Sequence, residues 1–190
     1  MNNNIDTISS EDLLKNLYLT QLLLFILSAV FIIIFELDIS YLKSLFKFDM
    51  YNALTFGVGI GLLIILLELA VSRLFPKEWL DDGGINEKIF SNRTLFEVFL
   101  IAAIVSVSEE LLFRGILQTT FGLIWSSSIF ALIHFRYLNK PILLFFVVLI
   151  SFVFGWIFEF TDSLWTTIIA HFLVDFILGM ILAREYKEQY

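Results

Sequence analysis

The chain has 190 residues, 59% of them hydrophobic and 16% charged, with a mean hydropathy of +0.89 and a net charge of −7. A soluble domain carries about 25% charged residues. Here the charges are clustered and long apolar runs lie between them, the pattern of a polytopic membrane protein whose spans each need roughly 20 apolar residues. A basic nucleic-acid footprint is absent, and without cysteine there is no disulfide framework, thiolate nucleophile or Cys-ligated metal.

The first 17 residues are polar and acidic, with Lys15 as their one basic residue. They lack the basic start and small-residue cleavage site of a signal peptide, so the first apolar run is expected to stay as a membrane helix. Six apolar segments follow, at about 18–35, 53–74, 95–121, 124–135, 141–160 and 164–183. They are continuous rather than alternating, which argues for helices, and only helices or closed barrels satisfy backbone groups in hydrocarbon. The expected architecture is therefore an all-α, polytopic transmembrane bundle of about six helices. The fourth segment is short and either spans or is re-entrant. Pro141 suits the first turn of the fifth, where its missing N–H costs nothing. Gly57 and Gly61 have the spacing that lets membrane helices approach closely. The stretch 72–94, with Pro76, Asp81-Asp82-Gly83-Gly84 and Asn86, reads as a surface loop with an interfacial piece around Trp79.

With six crossings and the N-terminus inside, nine basic residues fall on the inner side: Lys15, Arg73, Lys77, Lys88, Arg93, Arg136, Lys140, Arg184 and Lys187. Only Lys43 and Lys47 fall outside, and Arg114 lies within the third segment. This asymmetry is what the positive-inside rule requires, and it places both termini in the cytoplasm.

An ionisable residue at the centre of a span costs roughly 2.5–3.5 kcal/mol on insertion scales. Glu68, Glu97 and Glu159 lie toward segment ends, where they are expected to snorkel to the interface. Glu109, Glu110, Arg114, His134, His171 and Asp175 are harder to dismiss. Glu110 and Arg114, four apart, share a helix face and can pair. Glu109 lies about 100° around the helix with Phe113 at its own i+4 position, which leaves it available as a general base. His134 follows Phe130 by one turn, and Asp175 follows His171 by one turn. The only two histidines both lie in apolar segments. Convergence of Glu109, Glu110, His134, His171 and Asp175 on one interior cavity explains how such costly residues are tolerated together. Other hydrolytic signatures are absent: there is no His-Glu-x-x-His pair, no Gly-x-Ser-x-Gly elbow and no intramembrane aspartate pair. Ser106, Ser108 and Ser126 to Ser128 become nucleophiles only if a histidine reaches them.

Glu109-Glu110-x-x-x-Arg114, then Phe130-x-x-x-His134, then His171-x-x-x-Asp175, on successive helices, resembles the CPBP family. That family comprises the CAAX-prenyl proteases of the Rce-one type and the bacteriocin-processing and immunity membrane proteins, also called Abi. The match runs from about Leu95 to Ala183. It divides a single membrane-embedded domain, 1–190, into a cytoplasmic segment (1–17), two helices and a loop (18–94), a catalytic core (95–183) and a tail (184–190). The resemblance implies intramembrane endoproteolysis of a membrane-associated peptide or protein by water attack. Glu109 and His134 would activate the water, Glu110 and Arg114 would hold the geometry, and His171 with residue 175 would stabilise the oxyanion. The glutamate mechanism needs no cofactor, whereas the zinc long proposed for the family would fall to Glu109, His134 and His171. Family members that process CAAX carry Asn where this chain has Asp175. An ionised carboxylate only accepts hydrogen bonds, so Asp175 would instead orient His171, bind a metal or act protonated. Two rival readings are a non-catalytic immunity or scaffolding protein and a proton-coupled transporter, the latter disfavoured by six spans without a repeat.

Overall fold

The computed structural model describes residues 8–189, with side chains as far as Arg184. The first seven residues of the segment 1–17, the side chains of 185–189 in the tail 184–190, and residue 190 lie outside the described residues. Among the described residues there are helices and turns and no strand. The first helix, α1 (Ser10–Ile34), is capped by the Ser9 hydroxyl, which accepts from the Asp12 N–H, with Glu11 and Asp12 in the positive first turn. A short α2 (Ile39–Leu45) follows. Next, α3 (Met50–Asn52), a π-helical turn Ala53–Val58 and α4 (Gly59–Leu74) run on as one rod, Met50–Leu74.

The stretch read as a surface loop contains two further helices, α5 (Lys77–Leu80) and α6 (Ile85–Phe90). The start of α6 is set by carboxylates. Asp81 accepts from the N–H groups of Gly83 and Gly84, both at positive φ, and Asp82 accepts from those of Ile85 and Asn86. The piece then folds back onto the bundle: Ser10 donates to the Lys88 carbonyl (2.6 Å), Ile89 is buried, and Phe90 lies over Gly179. Trp79 stays exposed, as an interfacial residue would.

After α7 (Leu95–Glu110) the helix widens into a π-helical segment, Leu111–Gln118, and continues as α8 (Thr119–Ile133). Gly122, at φ 82°, breaks α8 near its start, so the boundary read between the third and fourth apolar segments is a sharp backbone kink. A 3-10 turn, Phe135–Tyr137, leads into α9 (Pro141–Thr161), with Pro141 in its first turn. The last helix is α10 (Leu164–Gln189). Among the described residues, four helical stretches are long and apolar enough to cross a membrane: Ser10–Ile34, Met50–Leu74, Pro141–Thr161 and Leu164–Arg184. The helical path through α7 and α8 is the one that carries Glu109, Glu110 and Arg114.

Apolar burial does not drive association between helices that already sit in lipid; close packing and interhelical bonds do. On α1 only Gln21, Leu24 and Ser28 are buried, while Leu19, Leu22, Leu23, Ile26 and Ile33 face outward. Leu24 packs with Leu112, Phe113, Leu117 and Phe130, tying α1 to the π segment and α8. A second cluster, Ile64, Ile65, Phe154, Ile157, Ala170 and Val174, joins α4, α9 and α10. The Gly57/Gly61 spacing does what small residues do in membranes. A Cβ on Gly57 would sit 3.1 Å from the Thr166 carbonyl, and one on Gly61 3.1 Å from the Ala170 carbonyl, so α10 lies directly on this face. Gly59 points elsewhere, its nearest neighbour 3.7 Å away. Gly61→Val is therefore expected to destabilise the folded protein in detergent by about 1–3 kcal/mol through overpacking. Gly59→Ala should leave the thermal unfolding midpoint nearly unchanged; equal midpoints for both variants would contradict this packing.

Candidate active site

Glu110 and Arg114 are both fully buried, with Arg114 Nε 3.3 Å from Glu110 Oε2. The pair lacks hydrogen-bond alignment, since neither atom has a hydrogen-bonded partner, and its attraction is chiefly Coulombic. The guanidinium is held on two more sides. It lies 5.3 Å from the centre of the Phe130 ring, and its Nη2 donates to the Ser151 hydroxyl at 3.4 Å. The other Glu110 oxygen, Oε1, faces His171 Nδ1 at 2.9 Å, and His171 Nε2 lies 3.5 Å from Asp175 Oδ2. Arg114, Glu110, His171 and Asp175 thus form one continuous polar chain from the π segment to α10. Each basic group in it is flanked by a carboxylate, as buried charge requires.

His134 lies one residue beyond the end of α8, at φ −84°, ψ 38°. Its Nδ1 is 2.8 Å from the Phe130 carbonyl. A carbonyl only accepts, so Nδ1–H is the donor and Nε2 keeps its lone pair. The ring is further fixed by Phe130 (4.8 Å between centroids) and Tyr137 (6.1 Å). Phe130 therefore touches both the Arg114 cation and the His134 ring.

Between α1, α4, α7, α9 and α10 lies a cavity of about 760 Å³, lined by Glu109, His134, His171 and Asp175 among others. Glu110 departs from the expected convergence of five residues on one cavity: it and Arg114 are not in the lining, and it reaches the cavity wall only through His171, because Arg114 and His171 hold it in the packed interior. The pattern read from spacing is thus realised: the glutamate with a partner at i+4 is locked away, and the one without it faces open space. Glu97 and Glu159 are at or near the surface, and Glu97 closes the capping box of α7 with Thr94. Glu68 departs from the reading of a snorkelling residue, because it lines the cavity on the α4 side, close enough to Asp175 for their charges to repel. Gln21 is a further polar residue of the cavity, outside the set read from the sequence. It is 5% exposed, lines the same cavity and accepts from the Ser108 hydroxyl at 2.6 Å. The sequence signal was an amide inside an apolar run. Among the described residues, no hydroxyl of Ser106, Ser108, Ser126, Ser127 or Ser128 bonds to a histidine.

No three His, Asp or Glu side chains among the described residues are grouped to hold a metal ion. Both nitrogens of His171 already face carboxylates. Glu109, His134 and His171 therefore share a cavity without forming a ligand set.

A family model described as type II CAAX prenyl endopeptidase Rce1-like matches residues 91–177. A Bacillus subtilis (strain 168) protein printed as "Uncharacterized protein YpbD" is 38% identical over 168 residues, covering 88% of this chain and 89% of the relative. The chain belongs to the Rce1-like family of type II CAAX prenyl endopeptidases. It is a multi-pass membrane protein of a protease family. No solved structure matches it. The Rce1-like stretch contains all six polar residues read from the sequence, whereas Gln21 and Glu68 come from helices outside it.

Removing one partner of a buried ion pair leaves an uncompensated charge and costs about 3–5 kcal/mol. Arg114→Met is expected to lower stability by that order, and adding Glu110→Gln in the same chain should recover much of the loss. Chemical unfolding of the single and double variants in detergent measures the coupling; additive losses would contradict a direct pair.

Proposed function

We propose that the protein is an intramembrane endopeptidase that cleaves a membrane-associated peptide or protein by attack of a water molecule activated by Glu109 and His134. The observation that carries this reading is the division of labour between adjacent glutamates: Glu109 lines a cavity with both histidines, while Glu110 is closed off by Arg114. Glu109 takes a proton from the water as it attacks the scissile carbonyl and returns it to the leaving amine. His134, with Nδ1–H engaged by Phe130, presents the Nε2 lone pair as an acceptor that holds the same water. His171 stabilises the oxyanion. It donates to Glu110 through Nδ1, and a ring that also carries a proton on Nε2 is a cation at the cavity wall. Asp175, where CAAX-processing relatives carry Asn, orients His171 by facing Nε2.

The same reading gives six crossings with both termini in the cytoplasm, α7 and α8 supplying the remaining two. In its support, the cavity is lined by Leu13 and Asn16 of α1, Ser72 of α4, Leu80 of α5, Arg136, and Leu182 of α10. These lie at one end of the bundle, the end that carries the basic residues, so the cavity opens toward the side on which the positive-inside rule places the cytoplasm.

Comparing the cleaved termini in membranes of cells carrying wild-type protein or Glu109→Ala would name the substrate. With that substrate, Glu109→Gln and His134→Ala are each expected to lower the cleavage rate at least about a hundredfold, the scale of general acid–base catalysis, with membrane insertion unchanged. Wild-type activity in either variant would overturn the mechanism. Loss of activity on chelation, restored by zinc, would overturn the metal-free form of it.

A further inference from the structure

Gln21 lies where a membrane helix tolerates a polar side chain only if it is bonded. Its neighbours on the outward side of α1, Leu19, Leu22 and Leu23, are more than half exposed, whereas Gln21 is 5% exposed. It is turned inward by Leu24 and Ser28, which share its face and anchor α1 on the bundle. Its carbonyl Oε1 accepts from the Ser108 hydroxyl at 2.6 Å. That bond fixes the orientation of the amide, and its NH2 end, which only donates, is directed to a different acceptor. Ser108 is followed by Glu109, which brings the Glu109 carboxylate to the same stretch of cavity wall as the Gln21 amide. Both Gln21 and Glu109 line the cavity. One side chain from α1 is therefore fixed by Ser108 at one end and shares the cavity wall with Glu109, the next residue of α7, at the other.

We infer that Gln21 is a positioning residue for Glu109: Ser108 orients its amide, and its NH2 group holds the carboxylate in one rotamer facing the cavity. The assignment rests on Glu109 as the base proposed above, and it gives α1 a part in the reaction although that helix lies outside residues 91–177. Glu109 has no partner at i+4 of the kind that fixes Glu110. A long side chain with free torsions in a wide cavity loses rate unless its oxygens are held, since a displacement of about 1 Å costs on the order of a hundredfold.

The test uses the full-length protein in lipid bilayers. The infrared carboxyl band of Glu109 is assigned by its disappearance in Glu109→Gln. In Gln21→Leu and in Ser108→Ala that band is expected to shift and broaden, while Ser108→Thr, which keeps the hydroxyl, and Ser28→Ala, a buried serine on the same face of α1, should leave it in place. On the substrate found above, Gln21→Leu should lower kcat about ten- to a hundredfold with KM within about twofold. An unmoved band in Gln21→Leu, or a loss confined to KM or to thermal stability, overturns the inference. A band that shifts as described while Glu109→Gln still cleaves overturns the peptidase mechanism and leaves the contact intact.

Discussion

The buried pair of Glu110 and Arg114 is the constraint around which the rest of the bundle is arranged. A guanidinium with no exposed surface must find negative charge and donors' partners within a few ångströms, or the helix carrying it would not remain in the membrane interior. Glu110 supplies the charge, Ser151 an acceptor, and the Phe130 ring a third side. Each of these comes from a different stretch of chain, so satisfying one cation fixes α7, α8 and α9 against one another. His171 then closes the circuit from α10 by bonding the second oxygen of Glu110.

This arrangement explains how adjacent, chemically identical residues become different. Glu110 has both oxygens committed to basic groups, whereas Glu109 turns into a cavity and, among the described residues, forms no ion pair. The distinction comes from helical geometry alone, one residue being about 100° around from the next. Phe130 links the structural and reactive halves: it covers Arg114 and, one turn on, packs against the His134 ring while its carbonyl fixes that ring's tautomer.

Much of this was legible in the sequence. Apolar run length and the position of Pro141 are one-dimensional signals, and the helix boundaries they predicted agree with α1, α4, α9 and α10 to within a few residues at most ends. The pairings Glu110–Arg114 and His171–Asp175 follow from i,i+4 spacing and are present. What escaped depends on which helices are neighbours. Glu68 near the end of its run is indistinguishable from a snorkelling residue until α10 is laid beside it. Gln21 is an isolated polar residue until Ser108, 87 positions away, meets it. The helices α5 and α6 are too short to produce a periodic pattern, and their carboxylate-capped turn looks like any polar loop. The number of crossings beyond four rests on the charged path through α7 and α8, where length and apolarity alone do not decide.

The widened helix at Leu111–Gln118 has a consequence of another kind. A π-helical segment is most simply viewed as extra residue inserted into an α-helix, and here the carbonyls it loosens are taken up by hydroxyls: Phe113 O by Ser126, Gly115 O by Thr119. The segment therefore works as an angular spacer. Everything before it, including the glutamate pair, is held at one azimuth, and everything after it, including the kink at Gly122, at another. Shortening the chain there by one residue would restore a regular helix yet turn the two halves about 100° out of phase, so that either the ion pair or the cavity wall would be lost. Length in this stretch, where every residue from Leu112 to Gln118 is buried, is constrained as tightly as residue identity.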